Sequence, residues 1–326
     1  MGLVASAGHA TPRRWWPAMT RMTRMTRMTT LVADHETCAV VLSRAGSNFA
    51  LPIRLLPEAK RCGTTALYAF CRRADDIVDN NANPVEARHS LDTFEAELSA
   101  AIAGGASADP VIRAVVDTVR RFAVPVNYLH DIIDGCRMDL DRNSYDTFPE
   151  LEEYCRRVAS AVGLAAIHIW GFRSPREALP AAHACGLAFQ LTNILRDIPE
   201  DLARGRIYLP EEDCRASGCS PDDLRCGRIG PGFEQLASMN VARAAAYYRQ
   251  AARLDRLLST DGRIVFRAMF GAYRSLFVAV RQAGPRIFTD RVRPGRLRIM
   301  GATVATLVLG PRPLVGGRSA GNATHE

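Results

Sequence analysis

The chain has 326 residues, of which 48% are hydrophobic and 23% charged, a globular composition that excludes a disordered polypeptide. Its net charge of +8 is carried by the ends: residues 1–33 hold five Arg and no acid, and residues 281–318 hold eight Arg against Asp290 alone. The body between them is slightly acidic, so the balance speaks against a nucleic-acid binder and gives ends and body different jobs.

At the N-terminus, Arg-Met-Thr recurs three times over residues 21–29, and no apolar signal core is present. Residues 1–33 therefore read as a disordered basic tail, or as sequence ahead of a true start near Met28. Nine Cys without a CxxC pair predict reduced thiols in a cytoplasmic protein. No run of about 18 apolar residues predicts a membrane span.

From residue 34 to about 290, helical periodicity dominates. The spacing predicts helices over 61–80, 84–104, 110–122, 125–140, 150–170, 176–200, 233–258 and 262–284. Breakers separate them: Asn83-Pro84, Gly104-Gly105, Asp109-Pro110, Val124-Pro125, Ser174-Pro175 and Gly230-Pro231-Gly232. Short connections imply antiparallel neighbours in one all-α, single-domain bundle. Residues 203–232 form the longest irregular stretch and read as a candidate lid.

Two of these helices carry acidic stripes. In Tyr-Ala-Phe-Cys-Arg-Arg-Ala-Asp-Asp-Ile-Val-Asp (68–79), a turn of 100° per residue places Tyr68, Arg72, Asp75 and Asp79 on one face. In Gln-Leu-Thr-Asn-Ile-Leu-Arg-Asp-Ile-Pro-Glu-Asp (190–201), Gln190, Asn193, Asp197 and Asp201 share a face. Carboxylates one turn apart repel each other. One such pair is ordinary solvated surface. Two stripes, each inside an otherwise apolar helix, point to a shared divalent cation. The ligands are hard oxygens with no His or Cys among them, which suits Mg²⁺ and argues against zinc. A diphosphate leaves easily only when its charge is neutralised, and two acidic helices holding metal would do this. Arg side chains would complete the clamp, and an apolar cavity would keep water from the cation left behind.

At these residues the sequence resembles the squalene/phytoene synthase family, collinearly over about 42–292. The match runs through Phe49–Pro57, 68–79, Met138-Asp139-Leu140 with Tyr145, 154–163, 190–201 and Gly205-Arg-Ile-Tyr-Leu-Pro210. The resemblance implies an isoprenoid-synthase-type helical bundle with a central active-site cavity. It implies a Mg²⁺-dependent transferase that joins two prenyl diphosphates head to head through a cyclopropylcarbinyl diphosphate. By the same resemblance Asp75, Asp79, Asn193, Asp197 and Asp201 are metal ligands. Arg72 with Asp75, Asp79, Asn193 and Asp197 forms the catalytic set. Asn48, Tyr68, Arg72, Tyr145, Gln190, Arg206, Tyr273 and Arg291 are substrate-binding candidates. Asn48 stands where the family often has Ser, and its amide serves equally as a phosphate donor or a helix cap. Pro199 stands where Gly is common; proline in a helix interior predicts a kink or end between Asp197 and Asp201.

The stretch 158–171 looks closer to bacterial squalene-type members. The expected substrates are therefore two farnesyl diphosphates, giving presqualene diphosphate or squalene for sterol- or hopanoid-type triterpenoids. The alternative is two geranylgeranyl diphosphates giving phytoene for carotenoids. More remote alternatives are a terpene cyclase and a non-catalytic partner subunit. NADPH joins Mg²⁺ as a cofactor if squalene is the end product. Downstream isoprenoid enzymes are candidate partners. Residues 293–326 read as a basic, apolar extension: either a final helix packed on the body or a peripheral anchor to the inner face of the membrane. His130, His168 and His183 read as structural, none having a carboxylate at helical spacing.

Overall fold

The computed structural model describes residues 21–46 and 49–311. The described residues form fifteen α-helices, two short 3₁₀ turns and one π segment. They form no strand, only isolated bridges between Ser144 and Ile207 and between Phe172 and Leu258. The expected all-α bundle is what the chain builds.

Helix α1 (Arg21–Arg44) opens the described chain and takes in residues 21–33 of the basic segment. Residues 1–20 lie outside the described residues. Asp34, at 2% exposure, accepts from Arg113 on α5 and fastens α1 to the bundle. The short α2 (Ala50–Ile53) leads into α3 (Glu58–Asp79). Then come α4 (Pro84–Ile102), α5 (Pro110–Phe122) and α6 (Asn127–Asp141). The starts are set by local chemistry. Asn83 accepts from the Val85 amide and Asp109 from the Val111 and Ile112 amides, each followed by Pro in the first turn.

The predicted single helix over 150–170 is divided. Helix α7 (Phe148–Cys155) passes through a π segment (Arg156–Ser160) into α8 (Ala161–Trp170). The extra residue in the turn re-aims the face that follows. The cause lies on the next helix, α9 (Pro175–Arg196). A Cβ on Gly186 would sit 2.4 Å from Ser160 Cα, so the two backbones touch directly. The Ser160 hydroxyl donates to the His183 carbonyl at 2.9 Å.

Pro199 has the predicted effect. Helix α9 ends at Arg196, Asp197 leaves the helical region, and α10 (Ile198–Ala203) restarts with Pro199 in its first turn. There the missing N–H costs nothing. The stretch 203–232 is more ordered than its composition predicts, because α11 (Glu211–Ser217) and α12 (Pro221–Arg225) lie within it. Helices α13 (Pro231–Ala251), α14 (Thr260–Ala283) and α15 (Arg296–Leu309) complete the bundle. Helix α3 packs against α1, α4, α5, α6 and α8, while α9 packs against α8, α13 and α14. Their inner faces are left to line a cavity. All nine Cys are unpaired.

Candidate active site

The two acidic stripes face one cleft of about 430 Å³. Asp75 and Asp79 enter it from α3, Gln190 and Asn193 from α9, and Asp197 and Asp201 from the break into α10. Arg72, Arg196, Arg204 and Arg206 stand around them. Below the cleft lies an apolar cavity of about 390 Å³, walled by α3, α8, α9 and α14. Arg72, Asp75, Gln190 and Asn193 belong to both compartments and form the collar between them.

The cleft gathers carboxylates close together. Asp75 keeps an exposed side toward the cleft, but the protein packed around it removes enough water to push its carboxyl up to about 6; a thiol contact from Cys136 at 3.6 Å opposes the rise, and Asp79 adds repulsion. Burial likewise pushes Asp201 up to about 7, with Asp197 adding to it. Asn193 Oδ1 is buried with no hydrogen-bond partner. Among the described residues, no three His, Cys, Asp or Glu side chains converge tightly enough to hold an ion unaided. An orphaned carbonyl beside proton-retaining carboxylates fits Mg²⁺, which takes oxygen ligands and completes its shell with water and substrate phosphate.

The arginines are partnered in this structure. Arg72 pairs with Asp76 at 2.6 Å. Arg196 donates to Asp197 at 2.8 Å from Nε, and Arg291 reaches Asp197 at 2.9 Å and Glu200 at 3.4 Å. The two C-terminal candidates arrive beside the second stripe: Arg291 by ion pair, and Tyr273 by lining the cavity, its ring stacked on Phe189 at 4.0 Å. Tyr68 lines the cavity, and Arg206 lines the cleft while donating to the Asp139 carbonyl at 3.2 Å.

Asn48 falls outside the described residues. Tyr145, a substrate-binding candidate, is 1% exposed and lies behind Tyr154 and Tyr208, lining neither compartment. The reason is the loop over 205–210, whose Ile207 amide donates to the Asn143 carbonyl and seals Tyr145 inside. His130 has Glu95 on α4 at 2.6 Å from its Nδ1, a pairing between two helices that spacing within one element does not reveal.

Residue spacing missed three members of the cleft. Asp139 accepts from Tyr208 at 2.9 Å and from Tyr154 at 3.1 Å, and burial raises its carboxyl. Its signal was present: it continues the buried stripe of Leu129, Ile132 and Cys136 on α6, where an acid is out of place. Arg196 and Arg204 flank the helix break, where periodicity stops being informative.

An all-α bundle enclosing an apolar cavity beneath an acidic, arginine-ringed mouth is the architecture of an isoprenoid synthase. The chain belongs to the squalene/phytoene synthase family, whose profile matches residues 42–298. It is 36% identical to a 15-cis-phytoene synthase of Synechococcus elongatus over 80% of this chain and 88% of that one. It is 35% identical to a phytoene synthase of Arthrospira platensis over 79% and 87%. Among solved structures, a dehydrosqualene synthase in complex with ligand superposes with a TM-score of 0.78 at 28% identity, covering 86% of this chain and 98% of that one. A squalene synthase from Alicyclobacillus acidocaldarius does so with a TM-score of 0.73 at 31% identity, over 78% and 96%. The chain is thus a head-to-head prenyltransferase of this family.

Proposed function

We propose that the protein condenses two geranylgeranyl diphosphates to phytoene. The observation that carries this is the 35–36% identity to phytoene synthases along four-fifths of the chain. It moves the reading away from the farnesyl substrates expected from residues 158–171. A second reading, two farnesyl diphosphates to a thirty-carbon product, keeps the support of the dehydrosqualene and squalene synthase structures.

In this reading the cleft binds diphosphate and the cavity shelters the prenyl chains. Asp75, Asp79, Asn193, Asp197 and Asp201 would hold Mg²⁺, with Asp139 close by. When bound, the metal neutralises diphosphate oxygens and stabilises the charge that grows as the C–O bond breaks. Arg72, Arg196 and Arg291 exchange their carboxylate partners for diphosphate oxygens, and Arg206 turns from the Asp139 carbonyl to the same group. Tyr68, Phe189 and Tyr273 keep water from the allylic cation. Electron balance separates the products. Joining two prenyl units with loss of two diphosphates and two protons yields phytoene without a reductant, whereas squalene formation consumes one hydride. NADPH is accordingly no part of the proposed reaction.

Purified protein with Mg²⁺, supplied with each diphosphate with and without NADPH, tests this by product identification. A forty-carbon polyene independent of NADPH is expected. Cyclic terpenes as sole product would establish a cyclase instead. Unchanged isoprenoid output in cells carrying Asp79→Ala and Asp197→Ala would establish a non-catalytic subunit.

No helix among the described residues is long and apolar enough to cross a membrane. For residues 293–311 we infer both a packed helix and a lipid contact; residues 312–326 lie outside the described residues. Helix α15 packs on α14, where a Cβ on Gly271 would meet Thr303 Cα at 2.9 Å and Arg267 donates to the Leu307 carbonyl. Its other side exposes Leu297, Met300, Val304 and Val308, with Arg293, Arg296 and Arg298 beside its start. Co-sedimentation with anionic vesicles, lost on Met300→Glu with Val304→Glu, is the expected result; equal sedimentation of wild type and variant refutes it.

A further inference from the structure

One wall of the apolar cavity is a built device. Two helices descend from the collar. On α3 the lining residues run from Asp75 to Thr64, and on α9 from Asn193 to Ala182. At 1.5 Å per residue each descent is about 16 Å. Trp170, the last residue of α8, stands at that depth.

Its indole N–H donates to Thr64 Oγ1 at 3.1 Å, across the gap between α8 and α3. The Thr64 hydroxyl donates onward to the Lys60 carbonyl at 2.8 Å, so both its roles are used and its position is set. The backbone of Trp170 is pinned as well. Its carbonyl accepts from Lys60 Nζ at 2.5 Å and from the Ser259 hydroxyl, and Lys60 is held by Asp261 at 2.8 Å. A Cβ on Gly262 would lie 2.7 Å from Trp170 Cβ, so α14 leaves the residue no room to retreat. Most cavity walls are side chains free to repack; this one is tied at ring, backbone and flank.

Depth has a chemical meaning here. An extended chain advances about 1.2 Å per bond. A fifteen-carbon prenyl chain, with four main-chain bonds per isoprene unit, then spans about 14 Å, and a twenty-carbon chain about 19 Å. A floor about 16 Å below the acidic mouth lies within one isoprene unit, about 5 Å, of either length, so a change at the floor shifts which chain fits best.

We propose that Trp170 is the chain-length-determining residue: its indole, held across the cavity floor by Thr64, sets how long a prenyl chain the site accepts. The inference rests on the reading that the apolar cavity holds the prenyl chain. It predicts that shortening residue 170 favours longer substrates, in the order Ala over Leu over Phe. Thr64→Val, which keeps the volume but frees the indole N–H, shifts preference the same way by a smaller step.

The test is kcat/KM for farnesyl, geranylgeranyl and farnesylgeranyl diphosphates, read as diphosphate release with Mg²⁺. For Trp170→Ala the longer-to-shorter ratio should rise by about 10–200-fold, the range for gain or loss of a hydrophobic subsite. Trp170→Leu and Thr64→Val supply the same readout from milder changes should Trp170→Ala not fold. An unchanged ratio in any soluble Trp170→Ala or Trp170→Leu protein overturns the assignment while leaving the prenyltransferase reading intact. Wild-type protein that releases diphosphate from none of the three overturns that reading, and the assignment with it.

Discussion

The two compartments are built on opposite rules. In the polar cleft the contacts are exchangeable or incomplete: Arg72 and Arg196 rest on carboxylates, Asn193 Oδ1 is orphaned, and Asp75 and Asp201 hold protons at pH values where ordinary carboxylates have lost them. Around Trp170 in the apolar cavity everything is satisfied, from its indole N–H through Thr64 to Lys60 and Asp261. A region that will receive charge holds contacts it can trade for the ligand's. A region that will receive only hydrocarbon is locked into shape, because shape is all it offers for recognition.

The strongest way to break this contrast is to remove a carboxylate. Asp79→Asn and Asp197→Asn should each lower kcat on the order of 10³-fold, the scale of losing a main electrostatic stabiliser. The melting temperature should hold, since Asp79 is exposed and Asp197 is not in the apolar core. A large drop in stability with each variant would instead make the stripe structural. Next is Arg291→Ala. Losing one charge-assisted contact of about 1.5–3 kcal/mol should reduce kcat/KM by roughly 10–100-fold without altering product chain length. A changed product would tie Arg291 to the cavity rather than the cleft.

Acidity separates the compartments further. Below about pH 7 protons on Asp201, and below about pH 6 protons on Asp75, compete with the metal. The Mg²⁺ concentration for half-maximal activity should rise steeply from pH 8 to pH 6. The sign for the metal-free fold is the reverse. Carboxyls raised in the folded state stabilise it fully below their unfolded values near 4, and that contribution is lost as pH rises through 6 and 7. Thermal melts without metal should therefore fall across this window, and Mg²⁺ should restore them. A pH-independent Mg²⁺ requirement would refute the ligand assignment.

The smallest effect expected is on stability alone. Gly186→Ala would drive a methyl against the Ser160 backbone, costing about 1–3 kcal/mol by overpacking. Calorimetry should show the loss, and Mg²⁺ half-saturation should stay near the wild-type value.

Much of this molecule was legible before any coordinates. The stripes on α3 and α9 follow from 100° per residue, and Asp75, Asp79, Asn193 and Asp197 do face one cleft. The break at Pro199 follows from proline's missing N–H, and Asp201 still lines the cleft because its amide donates to the Asp197 carbonyl at 2.9 Å across the break. Tyr145 lies out of the cleft because the loop over 205–210 folds back on it, through the Ile207 amide bonded to the Asn143 carbonyl far back in the chain. The carboxylate beside His130 lies on another helix, where spacing within one element does not reach. The Asp34–Arg113 pair that anchors α1 likewise forms only on folding.

The sequence by itself determined the helices, their breaks and the identity of the acidic faces, because periodicity, proline and glycine act within a few residues of themselves. Only the tertiary structure decided which faces meet, that Asp139 and Arg196 join them, and that Trp170 and Thr64 meet across the cavity. Those outcomes depend on distances between helices far apart in the chain, and nothing in local spacing encodes a distance.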